Sequence, residues 1–138
     1  ISQFNKIDKI ISFRKRLYKR YVFNLRNLIK EKLIRLQILN TKNLSSMYCF
    51  QILLVGNDYN LRNKLALFLE KNNITTTVYY TPAHLHDFYK KKLNSDNLEN
   101  TNELFYKSLA LPFHNKLKNK DVDKVCRVVI NYLKKNAK

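Results

Sequence analysis

Two imidazoles, His84 and His86, share the segment YYTPAHLHDFY that runs from Tyr79 to Tyr89. Either ring can donate to a hydroxyl or phosphate oxygen, and Tyr80 can stack on, or hydrogen-bond to, a sugar or a base. Against that, a Tyr at a strand end also serves as core, and one of two alternating His faces solvent or satisfies a carbonyl. The two-residue spacing, with Asp87 beside it, would suit a metal on a strand, yet further Cys, His or carboxylate ligands do not recur at matching intervals. His114 follows Leu111, Pro112 and Phe113 and reads as a turn residue packed on Phe113. Arg14 reads as solvated, and Lys90, Lys91 and Lys92 form the densest positive run, either a solvated loop or a phosphate contact. The single Gly of the chain excludes a glycine-rich phosphate loop. Cys49 and Cys126, the only cysteines, lie among apolar neighbours and read as reduced core residues of a cytosol-like, hence cytoplasmic, compartment.

The elements that must hold these residues follow from periodicity. Apolar residues from Ile7 to Ile29 recur at three- and four-residue steps with Lys and Arg between them, which predicts a long amphipathic helix. Residues 32–39 fit helix or strand, and 40–46 form a polar loop. Residues 47–55 are almost continuously apolar, too short for a buried helix, and close on Gly56, Asn57 and Asp58, so they read as a buried strand and a turn. A helix with Leu61, Leu65, Phe68 and Leu69 inward comes next, then a β-branched strand from Thr75 to Tyr80, broken by Pro82. The polar stretch 90–100 leads to a short helix over 101–109 and a last helix beginning at Asn119 or Asp121. Tyr48, Phe50, Ile52, Leu65, Leu69, Val122, Val125 and Val129 should share one core. The expected fold is α/β of the α+β type: a small two-layer domain with a short, mainly antiparallel sheet packed by helices.

The chain has 138 residues, one domain's worth, with 45% hydrophobic residues, nine Tyr and eight Phe, enough to fold. Its 27 Lys and Arg against 10 Asp and Glu give a formal charge of +17. Such a balance suits an anionic partner, but an AT-rich coding sequence also produces it by drift, and drift scatters charge where a binding surface gathers it. No apolar run approaches the roughly 20 residues of a membrane span.

Two segments carry a recognisable pattern, residues 79–89 and the stretch NTNELFYKSLALPFHNKLKNKDVDKV from Asn100 to Val125. Both resemble the C-terminal domain of the DegT/DnrJ/StrS sugar aminotransferases. The matching positions are Tyr80, Pro82, His84, Leu85, His86, Phe88 and Tyr89, then Leu111, Pro112, Phe113, His114, Leu117, Asp121, Val122 and Val125. Upstream, Gln3, Ile7, Arg14, Tyr21 and Leu25, the strand from Tyr48 to Val55, and Leu61, Arg62, Leu65, Leu69 and Ile74 follow in the same order. The chain departs from the pattern at Asn73, where Gly is usual, at Asp87, where Pro is common, and at Lys118, where Ser or Thr would cap the last helix.

The resemblance implies that residues 1–138 are the small domain of an enzyme that uses pyridoxal phosphate to move an amino group from glutamate to a nucleotide-linked keto-sugar, in polysaccharide or cell-surface glycan synthesis. The chain opens on Ile1 rather than Met, and the cofactor-binding domain is expected to precede it. No Lys here stands in a context like the family's cofactor-bound Lys, so no catalytic or cofactor-binding residue is expected in this chain. Tyr80, His84 and His86 are the implied substrate contacts, and a homodimer is implied for the whole enzyme. A basic RNA-associated protein of ribosomal type, and an inactive remnant, are the competing readings.

Overall fold

The computed structural model describes residues 4–39, 45–90 and 98–136. Gln3, Lys91, Lys92 and Lys138, and most of the two polar connections, lie outside them. Helix α1 (Ile7–Lys30) follows a short turn, and strand β1 (Ile34–Leu36) resolves the ambiguous stretch as strand. Then come β2 (Phe50–Leu54), α2 (Leu61–Lys71), α3 (Asp87–Lys90), α4 (Glu99–Lys107), β3 (Ser108–Leu111) and α5 (Asn119–Asn136).

The sheet has the order β1-β2-β3 and both pairings are antiparallel, with Ile34 opposite Leu54 and Ile52 opposite Leu109. Alternation along the strands turns Ile34, Phe50, Ile52, Leu54, Leu109 and Leu111 into one cluster with the inner faces of three helices. Helix α1 contributes Leu17, Tyr21, Leu25 and Leu28, α2 contributes Leu61, Leu65 and Leu69, and α5 contributes Val122, Val125, Val129 and Leu133. Tyr21 stacks on Phe50 at 4.4 Å between ring centroids, and its hydroxyl donates to the carbonyl of Pro112 at 2.7 Å. Helix α4 contacts β2 and β3, and its Glu103 accepts from Arg35, the β1 residue whose side chain points away from the cluster.

The structure corrects three expectations. Thr75 to Tyr80 is not a strand: it touches the sheet through one bridge, Thr77 to Ala110, with N–H···O bonds of 3.1 and 2.8 Å. The next bonding positions on β3 are spoiled. Pro112 has no N–H, and the Ser108 N–H is spent on Leu104 at the end of α4. The helix expected over 101–109 stops at Lys107, and Ser108–Leu111 is the third strand, buried at all four positions. Tyr48, expected in the core, is 63% exposed. It lies two residues before β2, outside the stretch that pairs with β3 and is held against the core.

Helices α1 and α2 each end in a left-handed residue other than glycine. After α1, Lys32 (φ 57°) donates to Ile29 O and Leu33 to Leu28 O; after α2, Asn73 (φ 58°) donates to Glu70 O and Ile74 to Leu69 O. Each is a Schellman stop, sealed by an apolar pair, Leu33 with Leu28 and Ile74 with Leu69. At the start of α5, where Lys118 replaces a capping hydroxyl, the Asp121 carboxylate reaches back and accepts from the Lys118 N–H at 2.8 Å. Cys126 is buried and its thiol is pushed up to about 12 by desolvation, so it is unreactive; Cys49 is only half-buried, with its thiol also raised by burial.

Candidate functional site

Pro82 ends the extended segment and starts a single 3-10 turn, Ala83–Leu85, in which Leu85 donates to Pro82 O and His86 to Ala83 O. That turn rotates the two imidazoles to different surroundings. His84 is 8% exposed, and its Nε2 lies 2.9 Å from Asn102 Oδ1 on α4. An amide oxygen only accepts, so Nε2 donates, and the pair ties the loop to α4. His86 is exposed and donates from Nε2 to the carbonyl of Thr81 at 3.2 Å. Tyr80 is 72% exposed, with its ring 5.1 Å from Tyr79, which in turn lies 6.4 Å from Tyr48.

Tyr80, His84 and His86 therefore belong to one loop but make no hydrogen bond to one another among the described residues. The four cavities described among these residues lie elsewhere, none lined by the three. The nearest, about 100 Å³, has Tyr48, Thr77 and Tyr79 in its wall. His114 is exposed in its turn, where Nδ1 accepts from the Lys116 N–H at 3.3 Å. Arg14 is not simply solvated, because it shares a half-buried side of α1 and donates to Ser46 O at 3.3 Å. Among the described residues no group of three or more His, Cys, Asp or Glu gathers to hold a metal, and no helix is long and apolar enough to cross a membrane.

Two residues have surroundings that the sequence did not show, Asn102 beside His84 and Arg62 on α2. Asn102 has no motif to mark it. Arg62, on the first turn of α2, is 6% exposed, its Nε is buried without a hydrogen-bond partner, and its guanidinium lies 5.7 Å from the Phe105 ring. Desolvation lowers its pKa. A buried donor left unpaired costs about 1 to 3 kcal/mol. Arg62→Met should therefore raise the stability of the chain by about that amount in urea unfolding, whereas a loss of similar size would reveal a favourable partner for the guanidinium.

A profile of the "DegT/DnrJ/EryC1/StrS aminotransferase family" matches residues 1–130, so it spans α1, the whole sheet, the His84 loop and the first two-thirds of α5. The chain belongs to the DegT/DnrJ/EryC1/StrS aminotransferase family. Its fold is similar to the aminotransferase TlmJ from Streptoalloteichus hindustanus, at a TM-score of 0.86 and 23% identity over 99% of this chain and 35% of that one. It is equally similar to the PLP form of the sugar aminotransferase Spr1654 from Streptococcus pneumoniae, with TM-score 0.86, 23% identity and coverage of 97% and 34%. An uncharacterised protein of Methanocaldococcus jannaschii, MJ1066, is 31% identical over 77 residues, 54% of this chain and 20% of its own length. The chain thus spans about a third of these two structures and a fifth of that relative.

Proposed function

We propose that residues 1–138 form the substrate-side, C-terminal domain of a pyridoxal-phosphate-dependent aminotransferase that aminates a nucleotide-linked keto-sugar with glutamate as donor, in glycan synthesis. The observation that supports this most is the pairing of two coverages: nearly all of this chain overlays the sugar aminotransferase of S. pneumoniae in its PLP form, but only 34% of that chain is used. The described residues do not fit the cofactor itself. Schiff-base chemistry needs a lysine held in a desolvated pocket, and none of the described lysines is buried; Lys107, only partly exposed, is paired with Glu103 at 3.3 Å. Pyridoxal phosphate, when bound, supplies the electron sink. In this proposal its lysine lies outside this chain, in a cytoplasmic enzyme that pairs two copies.

What this chain contributes is a wall of the substrate pocket. Tyr80 offers an exposed phenol and ring face, and His86 an exposed imidazole beside it. His84 is the anchor of the loop, and with its Nε2 proton spent on Asn102 its Nδ1 is left to accept from a substrate hydroxyl.

Two measurements test the reading. The chain alone, incubated with pyridoxal phosphate and reduced with borohydride, should give no adduct localised to one lysine; a single modified lysine would relocate the active site into this domain. In the complete enzyme, His84→Ala should lower kcat/KM for the nucleotide sugar roughly five- to 150-fold, the equivalent of about 1 to 3 kcal/mol, and leave the cofactor absorbance intact. Unchanged kcat/KM would make His84 purely structural.

A further inference from the structure

The charge of the chain is not absorbed by a sugar-nucleotide pocket, and the structure shows where part of it gathers. Helices α1 and α5 pack side by side, and two open cavities follow one another along the outside of their seam. The first, about 480 Å³, is lined by Arg16, Lys116, Lys118 and Lys120 beside Phe13. The second, about 340 Å³, is lined by Arg20, Arg26 and Arg127. Arg16, Arg20, Asn24 and Asn27 recur at three- and four-residue steps on α1, as Lys120, Asp123, Arg127 and Asn131 do on α5, so the two cavities follow one another along the same pair of helix faces.

The groove is more one-sided than the molecule. The chain has 27 Lys and Arg to 10 Asp and Glu. The groove has seven to one, and the one, Asp123, is spent on Arg20 at 2.8 and 2.7 Å and on Asn24 at 2.7 Å. The Arg20 hydrogen bonds hold Asp123 well below the usual carboxylate range, which fixes this crosspiece between the helices as an ion pair. The other six cations are exposed, and two of them are presented on rings: Arg16 at 4.5 Å over Phe13, and Arg26 at 4.2 Å over Phe23, itself exposed.

We propose that the α1–α5 groove binds a single-stranded nucleic acid along its phosphate backbone. From Arg16 to Asn27 the groove is roughly 16 Å long at ~1.5 Å per helical residue, enough for about five stacked nucleotides at ~3.4 Å each. Its remaining polar lining is amide, Asn24, Asn27, Asn115, Asn119 and Asn131, which offers donors and acceptors together, as sugars and base edges require. This activity is independent of the aminotransferase reading, since Tyr80, His84 and His86 take no part in it.

The test is fluorescence anisotropy of a labelled oligouridylate titrated with the 138-residue chain over a range of salt. Log K should fall linearly with log salt, at about 0.7 per phosphate engaged. Lys120→Glu with Arg127→Glu, one from each cavity and neither in an ion pair, should weaken binding at least about tenfold and make the slope shallower by about 1.4, with the circular dichroism unchanged. Lys71→Glu with Lys90→Glu, off the groove, should change affinity less than about twofold. Equal losses from the two double variants, no binding by the unaltered chain at low salt, or displacement by polyglutamate as effective as by unlabelled oligonucleotide would each overturn the proposal.

Discussion

Phe50→Ala should lower the unfolding free energy by about 3 to 5 kcal/mol, read as an earlier urea midpoint with little change in slope. Phe50 is 1% exposed and sits on the central strand, so the sheet cannot move inward to fill the space it leaves. Its ring is the meeting point of three others: Tyr21 stacked at 4.4 Å, Tyr18 edge-on at 5.3 Å, and Phe113 at 6.3 Å. Truncation removes the transfer energy of the ring, opens a cavity, and takes away the aromatic contacts that hold Tyr21 upright beneath Pro112. A loss below about 1 kcal/mol would mean that the helices close over the gap, and that the core is looser than its geometry indicates.

Leu69→Ala is expected to cost about 2 to 5 kcal/mol, and for a partly different reason. Leu69 is fully buried between α2 and its neighbours, which accounts for the cavity cost. It also provides the carbonyl that accepts from Ile74 in the stop of α2, and its side chain is the apolar partner of Ile74 there. The backbone bond survives the substitution and the apolar seal does not, so amide hydrogen exchange at Asn73 and Ile74 should speed up more than exchange in α1. Equal acceleration in both helices would show that the turn has no separate weakness.

These two residues were legible from sequence because each sits in a strong period, Leu69 at helical spacing with Leu65 and Leu61, Phe50 at strand spacing with Ile52 and Leu54. The same logic gave α1, α2, β2 and α5 and the packing of helices on a short sheet, while the antiparallel character of that sheet was implied by the family resemblance. It misread Ser108–Leu111 because four small or apolar residues directly after a helix continue its pattern, and only the pairing with β2 makes them a strand. It misread Thr75 to Tyr80 because propensity reports what a segment prefers and is silent on whether its neighbour has free N–H groups; Pro112 and Ser108 did not. In the candidate site, the loop and its Pro82 turn were visible, but the tie from His84 to Asn102 spans 18 residues of unpatterned sequence, and the isolation of Arg62 is a property of what surrounds it.

The two left-handed helix stops bear on how much change this chain can absorb. A β-carbon in that conformation costs about 1 to 2 kcal/mol, somewhat less for Asn than for Lys, and the chain meets that cost at Lys32 and again at Asn73. Domains of this size hold only about 5 to 15 kcal/mol in reserve, so strain at two positions consumes a sizeable part of the mutational robustness that would otherwise buffer later substitutions. A change to glycine at either position would relieve that strain and widen the set of replacements the rest of the domain can accept.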